Sequence, residues 1–323
     1  MVFFISIAVF FLLPELIFRI IDRNWHSDNV YRRFGIYERD NKEFPKIPID
    51  MRDPYLFWRV SKDFEFRGIP YNVMKDSNAM RIICLGDSCT QGFSTYVRTE
   101  QTYPFRLQKI LNTYNKNSGK HFEVINAGIG GYSSLQGLRY FKRELLKYDP
   151  DVVTFYFGIN DKAPSVIYSD IEQRIFPQWI VNLHNIILER SRFYKFIVYF
   201  QKKRILESWE RKRSRHAMYI PRVSIEDYRG NIEALYRITE EMGIKLVIIN
   251  LPTESPEVLS KYNAVLKDII VQYNIPLVDI VKAAEKYRKN RNRIFIDKLH
   301  PTPYFNKIIA KEIYKILILS KYI

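Results

Sequence analysis

Apolar runs alternate with amphipathic stretches from Arg81 to the end of the chain. The predicted strands are Arg81–Leu85, Phe122–Asn126, Val152–Phe157, Lys245–Asn250 and Pro276–Val278. Stretches with a helical period lie near Tyr103–Asn115, Ser133–Lys147, Ser224–Met242 and Pro256–Tyr273, and a last helix is predicted from about Pro303 to Leu319. This alternation is typical of a parallel sheet covered by helices. We therefore predict an α/β fold, a three-layer α/β/α sandwich with a five-stranded parallel sheet of flavodoxin-like type.

One stretch does not fit this alternation. About sixty residues separate Asp161 from Ser224, where a simple α/β unit needs far fewer. Within it, Ile171–Arg222 carries twelve basic and four acidic side chains, a net charge of +8 that is half of the +16 of the whole chain. Aromatic side chains recur among the basic ones. We predict a mostly helical, basic insertion, Lys162–Val223, over one end of the sheet.

The first eighteen residues are almost wholly apolar, interrupted only by Ser6, Pro14 and Glu15. As a helix this segment would be about 27 Å long, close to the ~30 Å hydrocarbon core of a bilayer. No basic residue precedes it and no small-x-small cleavage site follows, so we predict a single-pass transmembrane anchor, residues 1–18, rather than a signal peptide or a buried helix. Residues 19–78 are then a connector and lead-in segment, and residues 79–323 the main domain. Four arginines after the anchor favour a cytoplasmic main domain but do not fix the side.

The amino-acid composition restricts the fold and the possible partners only slightly. Hydrophobic residues make up 47% of the chain and aromatic residues 15%, which is enough for a sizeable core. The net charge of +16 favours anionic surroundings such as lipid headgroups, acidic polymers or nucleic acid. The two cysteines, Cys84 and Cys89, are too few for a disulfide framework. Cys84 lies in an apolar run and is predicted to be a core residue.

The first candidate site follows the first predicted strand. Gly86, Asp87 and Ser88 stand where that strand ends, and ligands of open parallel sheets bind beyond the carboxyl ends of the strands. There the hydroxyl of Ser88 can face a substrate while its backbone N–H faces a developing oxyanion. A serine that only caps a helix is the alternative, and this segment alone does not decide between them.

Two further loops follow the second and third strands. Gly128, Gly130 and Gly131 allow the backbone to approach a ligand closely, although a glycine-rich turn of this kind can equally cradle a phosphate. Asn160, after the third strand, offers two N–H groups that suit an oxyanion. Its alternative role is an Asx turn.

The fourth candidate is the pair Asp297 and His300, just before the last predicted helix. A spacing of three residues lets the carboxylate orient the imidazole. The imidazole can then act as general base toward Ser88 and as general acid toward a leaving alcohol. A metal-binding pair is the competing interpretation, but no other His or Cys cluster supplies the remaining ligands. We therefore predict no metal.

Together the four blocks resemble the SGNH hydrolase superfamily, also called the GDSL esterase/lipase family. Its blocks are matched, in order, by Gly86-Asp87-Ser88, by Gly131, by Gly158-Ile159-Asn160-Asp161 and by Asp297 with His300. The resemblance covers about residues 52–320. Cys89 stands where the family name implies leucine, at a position that is not catalytic. The lead-in Asp53–Trp58 looks like that of a sub-branch with an N-terminal membrane segment.

The resemblance implies a serine esterase that hydrolyses acyl or acetyl esters through an acyl-enzyme, without a cofactor. Ser88 is implied as the nucleophile, His300 as the base and Asp297 as the residue that orients it. The implied oxyanion hole consists of the N–H groups of Ser88 and Gly131 and the side chain of Asn160. The expected partners are an ester substrate, such as a lipid or an acylated carbohydrate, and a membrane through the N-terminal helix.

Two other functions stay open. An O-acyltransferase would use the same triad to move the acyl group to a cell-surface glycan, and it would have to exclude water from the acyl-enzyme. A non-catalytic membrane-tethered module would bind an anionic polymer through the basic insertion, but a degenerate member is expected to lose at least one of the four site residues. No nucleic-acid partner is expected, because no recognised nucleic-acid module accompanies the basic residues.

Overall fold

The computed structural model describes residues 12–20, 53, 55–60, 62–92, 97–114, 119, 121–165, 168–173, 175–194, 196–197, 200–201, 204, 220–287 and 289–323. These residues form two compact units. The sheet unit contains the described residues of 56–173 and 220–323, and the second unit contains those of 1–40, 52–55 and 174–219. We call the second one the insertion unit, because most of its described residues belong to the predicted insertion.

The sheet unit is built on five parallel strands, as predicted from the sequence. The strands are β1 (Ala79–Gly86), β2 (His121–Gly128), β3 (Val152–Tyr156), β4 (Lys245–Ile249) and β5 (Leu277–Val278), in the order β2-β1-β3-β4-β5. Gly86 lies opposite Gly128 of β2 and Tyr156 of β3. The first three strands therefore end at the same level, and the loops that follow them meet at one edge of the sheet. The prediction of an α/β fold with a five-stranded parallel sheet is confirmed.

Ten α-helices are named here in chain order. They are α1 (residues 12–20), α2 (Ser88–Gln91), α3 (Tyr103–Tyr114), α4 (Ser134–Tyr140), α5 (Ile159–Lys162), α6 (Gln178–Arg190), α7 (Ile225–Glu241), α8 (Ser260–Gln272), α9 (Ile280–Glu285) and α10 (Pro303–Leu319). In the sheet unit α3 packs with α10, and α4 packs with α7, which packs with α8. These two groups are the outer layers. All of β3 is buried, as expected for a strand covered on both faces.

One predicted helix is divided. The stretch Ser133–Lys147 is helical only to Tyr140; a π-helical turn, Phe141–Leu145, and a 3₁₀ turn, Leu146–Tyr148, follow it. Phe141, Leu145 and Tyr148 are all buried. Their spacings of four and three residues keep one apolar face across the three helix types, and for that reason the apolar pattern did not reveal the division.

The two ends of the predicted insertion lie within the sheet unit and pair with each other. Pro164 forms an antiparallel bridge with Pro221, and the backbone N–H of Arg222 donates to the carbonyl of Ala163 at 2.8 Å. Between them, α6 and residues 192–194, 196–197, 200–201 and 204 are helical. Residues 205–219 of the predicted insertion, and residues 1–11 of the predicted anchor, lie outside the described residues. Within the described ranges, no helix combines the length and apolar character that crossing a bilayer requires.

Candidate active site

Ser88 begins α2, two residues after the end of β1. The turn between them is stabilised by Asp87, whose carboxylate accepts the backbone N–H of Cys89 at 2.8 Å. A Cβ on Gly86 would lie 2.0 Å from Oγ1 of Thr90 and 2.9 Å from a backbone carbonyl oxygen. Position 86 therefore has no space for a side chain between Thr90 and the neighbouring strand. The turn places the Ser88 hydroxyl at the carboxyl edge of the sheet.

The glycine loop after β2 lies beside Ser88. A Cβ placed on Gly130 would lie 3.9 Å from the Cβ of Ser88. Gly131 has φ +80°, where other residues are strained, and a Cβ there would approach the ring of Trp58 to 3.2 Å. Among the described residues, no hydrogen bond uses the backbone N–H of Ser88 or of Gly131. Both donors are thus available to a ligand.

Asn160 links the loops that follow the first three strands. It lies in α5, just after β3, and its Nδ2 donates to the carboxylate of Asp87 at 3.2 Å and to the carbonyl of Tyr132 at 3.1 Å. Burial raises the pKa of Asp87 to about 7; the N–H of Cys89 opposes this rise and the nearby carboxylate of Asp161 adds to it. The amide of Asn160 is therefore held against a buried carboxyl beside Ser88.

A closed loop between α9 and α10 carries Asp297 and His300. The backbone N–H of Ile296 donates to the carbonyl of His300 at 2.8 Å, and Phe295 forms a bridge with Pro301. Within the loop, Oδ1 of Asp297 accepts the backbone N–H groups of Leu299 and His300, both at 2.8 Å. These bonds fix the orientation of the carboxylate, whose other oxygen contacts the imidazole.

The structure brings Ser88, His300 and Asp297 into one hydrogen-bonded series. Nε2 of His300 lies 2.9 Å from Oγ of Ser88, and Nδ1 lies 2.7 Å from Oδ2 of Asp297. Partial burial would raise the pKa of Asp297, but the hydrogen bonds from the backbone and ring of His300 and from Leu299 outweigh it, so the pKa is lowered. The ionised carboxylate is therefore favoured, and it accepts the hydrogen bond from Nδ1 of His300.

Asp161, the last residue of the third block, has a supporting place. One of its carboxylate oxygens accepts the backbone N–H of Ser134 at 2.9 Å and also the Ser134 hydroxyl. Burial raises the pKa of Asp161 to about 6, against the lowering effect of these two bonds. Asp161 therefore ties α5 to the start of α4, directly after the glycine loop.

Gln91 belongs to the site but is not among the site residues that we predicted from the sequence. Its Oε1 accepts the backbone N–H of Gly130 at 3.2 Å, so the helix that carries Ser88 also holds the glycine loop. A signal was present, because Gln91 is three residues after Ser88 and therefore on the same side of a helical turn. Two other residues that contact this loop, Asp170 and Arg222, had no local signal and were counted only as part of the insertion.

No metal-binding group is apparent in the described part of the chain, where no three His, Cys, Asp or Glu side chains are placed together to hold an ion. A serine hydroxyl, an imidazole and a carboxylate joined in this order are the constellation of serine hydrolases. The chain belongs to the GDSL-like lipase/acylhydrolase family, whose model matches residues 84–308.

One curated relative is an acetylxylan esterase from Xylanibacter ruminicola. It is 33% identical over 107 residues, a match that covers 30% of this chain and 22% of the relative. The chain therefore spans about a fifth of the length of this relative.

Several solved structures are also similar. The lipase/acylhydrolase from Enterococcus faecalis is 18% identical, with a TM-score of 0.48 over 74% of this chain and 95% of that one. The acetyl xylan esterase AlAXEase is 18% identical, with a TM-score of 0.49 over 73% and 98%. A two-domain esterase active on acetylated mannans is 20% identical, with a TM-score of 0.48 over 75% and 49%.

Proposed function

We propose that the protein hydrolyses carboxylic esters through an acyl-enzyme formed on Ser88. The observation that carries the proposal is the pair of short contacts made by His300, 2.9 Å to the Ser88 hydroxyl and 2.7 Å to the Asp297 carboxylate. His300 takes the proton of Ser88 as Oγ attacks the ester carbonyl, and Asp297 holds the ring and stabilises the imidazolium. His300 then protonates the leaving alcohol. In the second half of the reaction His300 takes a proton from water as the water attacks the acyl carbonyl, and it gives that proton to Oγ of Ser88 as the bond to the acyl carbon breaks and the acid leaves.

The oxyanion of the tetrahedral intermediate needs donors aimed at it. We assign this role to the backbone N–H groups of Ser88 and Gly131 and to the side chain of Asn160. The close approach of the glycine loop to Ser88 and the unused backbone N–H groups of Ser88 and Gly131 support the assignment. For Asn160 to contribute, one N–H of its amide has to turn from Asp87 or from the carbonyl of Tyr132 toward the oxyanion. Preorganised donors of this kind stabilise charge that develops only in the transition state.

For the substrate, we propose an acetyl ester carried by a carbohydrate. The support is the acetylxylan esterase that shares 33% identity over 107 residues with this chain. The test is a panel of p-nitrophenyl esters of rising acyl length, together with acetylated xylan, with Ser88→Ala as the blank. A kcat/KM that falls as the acyl chain lengthens, with acetate released from the polysaccharide, is the expected result. A preference for long acyl chains would contradict the proposal of an acetyl ester substrate, but it would not contradict the proposed esterase activity.

The same assay separates hydrolysis from transfer. Free acetate and the released alcohol are quantified together, with and without a sugar acceptor. Hydrolysis gives equal amounts of both products. Acyl transfer to the sugar would appear as alcohol released in excess of free acetate, and it would replace the hydrolase by an O-acyltransferase that uses the same triad.

We also propose that residues 1–18 attach the protein to a membrane. The apolar character of this segment supports the proposal. Full-length protein is expected to sediment with membranes and to resist carbonate washing, because an apolar anchor is not displaced by charge or pH. The measurement is the fraction of protein in the carbonate pellet, compared with a chain that starts at Asn24. Full-length protein in the carbonate supernatant would contradict the anchor.

A further inference from the structure

Helix α6 of the insertion unit presents an apolar face to its surroundings. Trp179, Leu183, Ile186 and Ile187 are spaced by four, three and one residues, so they share one face of the helix. All four are exposed, Trp179 to 66% of its surface. An amphipathic helix in a globular protein normally turns such a face toward the core. Here none of the described residues covers it.

Helix α1 of the same unit repeats this arrangement. Leu12, Leu13, Leu16, Ile17 and Ile20 are all exposed, again with helical spacing. Apolar side chains exposed in one contiguous face mark a surface for a partner or a membrane. The insertion unit therefore has two helices whose apolar faces have no cover among the described residues.

The other side of α1 is fixed to the insertion by Glu15, the only charged residue in the apolar N-terminal segment. The Glu15 carboxylate accepts the Ser191 hydroxyl at 2.7 Å, the backbone N–H of Phe193 at 3.1 Å and the guanidinium of Arg19 at 2.9 Å. Against the opposing effect of burial, these bonds lower the pKa of Glu15 to about 2. The carboxylate thus accepts backbone N–H groups at the start of the helical residues that begin at Arg192, as a helix cap does.

Aromatic packing adds to this junction. The ring of Phe18 lies 4.5 Å from that of Phe196 and 5.7 Å from that of Phe193, measured between centroids. One face of α1 therefore packs against the insertion and is half-buried, while the other stays exposed. Helix α1 and the described residues of the insertion that it contacts belong to one structural unit, although about 160 residues of sequence separate them.

We infer that α1 and α6 are the lipid-contacting helices of one membrane-docking unit, and that its partner is a bilayer with anionic headgroups. Helix α6 has 13 residues and is about 20 Å long, too short to span a bilayer but suited to lying in its interface. The net charge of +8 of Ile171–Arg222 complements anionic headgroups. This inference goes beyond the proposed esterase, which can be correct whether or not α6 enters a membrane.

The test places an environment-sensitive fluorophore on α6 of the full chain. Cys84 and Cys89 are both buried, so an added cysteine is the labelling site. Ile186→Cys probes the apolar face of α6, and Lys267→Cys, on the exposed side of α8, is the matched control. Labelled protein is bound to phosphatidylcholine vesicles that contain phosphatidylglycerol. The emission maximum of the label at 186 is expected to shift to shorter wavelength. Nitroxides on the lipid acyl chains should quench this label, whereas iodide in the aqueous phase should quench it only weakly.

The control label at 267 should keep its aqueous spectrum and its iodide quenching. Equal iodide quenching at 186 and 267 in vesicle-bound protein would overturn the inference while leaving the N-terminal anchor standing. Protection of the label at 186 without vesicles would also overturn it, because another segment of the chain would then cover α6.

A second, independent observation concerns the carbonyl side of Gly131. The guanidinium of Arg222 donates to this carbonyl at 2.7 Å, to Oε1 of Gln136 at 2.6 Å and to both oxygens of Asp170 at 2.9 and 3.1 Å. Asp170 is fully buried and also accepts the Ser133 hydroxyl at 2.6 Å. Arg222 and Asp170 thus contact both ends of the loop that follows Gly131.

We propose that Arg222 and Asp170 are positioning residues for the oxyanion hole. Arg222 has most of its donors engaged within the protein, and its plane lies over the ring of Trp58 at 5.6 Å, so it is fixed rather than available to a substrate. By holding the carbonyl of Gly131 it sets the direction of the peptide unit that follows and limits rotation about Gly131, where φ is +80°. The proposal rests on the esterase function and on the role assigned to Gly131.

The test is a comparison of Arg222→Gln and Arg222→Lys in the full chain. Arg222→Gln is expected to lower kcat by roughly 10–100-fold, less than the loss of a complete oxyanion donor, while KM changes little. Arg222→Lys should recover part of the loss, since it keeps the charge without the planar fork. Arg229→Gln, which breaks an exposed ion pair with Asp268, is the control and should leave kcat unchanged.

A folded Arg222→Gln variant with unchanged kcat, or with a raised KM and unchanged kcat, would reject the positioning role. If Arg222→Gln does not fold, Asp170→Asn decides the question, because it keeps the size of the side chain and removes the charge that holds Arg222. It is expected to lower kcat in the same way, and normal kcat in folded Asp170→Asn would reject the proposal. If the wild-type protein itself had no esterase activity, the result would contradict the proposed function rather than the positioning role of Arg222.

Discussion

Replacing Ser88 by alanine is expected to lower kcat for ester hydrolysis by roughly 10⁵–10⁶-fold, the scale of nucleophile loss in a serine hydrolase. The Oγ of Ser88 lies 2.9 Å from Nε2 of His300, and without it no acyl-enzyme can form. The measurement is the release of p-nitrophenol from the acetyl ester, at enzyme concentrations high enough to detect the residual rate. The free energy of unfolding, measured in urea, should change by less than about 1 kcal/mol, because the hydroxyl is only partly buried.

The matched control is Ser260→Ala. The hydroxyl of Ser260 is exposed and donates to the carbonyl of Glu257 at 3.0 Å, at the start of α8 and outside the triad. Its activity should equal that of the wild type. If Ser88→Ala retained a few per cent of wild-type kcat, another group would have to be the nucleophile. Incubation with an organophosphate, followed by peptide mapping, would then identify the modified residue.

The sheet could be predicted because its strands are buried on both faces. Val152–Tyr156 is a continuous apolar run, and such runs between helical stretches are typical of parallel strands. The ends were less certain. β1 begins at Ala79 rather than Arg81, because Ala79 and Met80 pair with His121 and Phe122 although they are only half buried. Pairing with a neighbour extended the strand beyond its apolar part.

The site could be predicted in part, from the rule that parallel strands end at one edge. Ser88 and Asn160 follow strands that lie side by side, so their proximity follows from topology. The distance between Ser88 and His300 does not, because 212 positions separate them and no local pattern links them. Their association in the sequence rested on the resemblance to a family, and the contact itself became visible only in the structure.

Single charged residues were the hardest to interpret. Arg222 and its partner Gly131 are 91 positions apart, and Glu15 and Ser191 are 176 apart. In the sequence, Arg222 contributed to the charge of the insertion and Glu15 was an interruption of an apolar segment. Each proved to satisfy backbone groups of a distant segment. Composition describes a segment as a whole and carries no information about which of its charges makes such a contact.

Asn160→Ala is expected to lower kcat by roughly 10²–10³-fold with little change in KM, the effect of losing one oxyanion donor. KM is spared because the donor acts on charge that is absent from the bound ester. The measurement is the full dependence of rate on substrate concentration for the acetyl ester, so that kcat and KM are obtained separately. Loss of the oxyanion contact alone leaves Ser88 and His300 in place, so a residual rate above that of Ser88→Ala is expected.

The competing role of Asn160 is structural, because its amide also bridges Asp87 and the carbonyl of Tyr132. Asn112 offers a matched control: its side chain bridges the backbone N–H and carbonyl of Phe122, both at 3.0 Å, away from Ser88. Asn112→Ala should lower the free energy of unfolding by about 1 kcal/mol or more and leave kcat unchanged. If Asn160→Ala behaved like Asn112→Ala, with lower stability and normal kcat, Asn160 would be a structural bridge and the oxyanion hole would consist of backbone donors. A large loss of kcat in a stable variant would instead establish that its amide acts on the transition state.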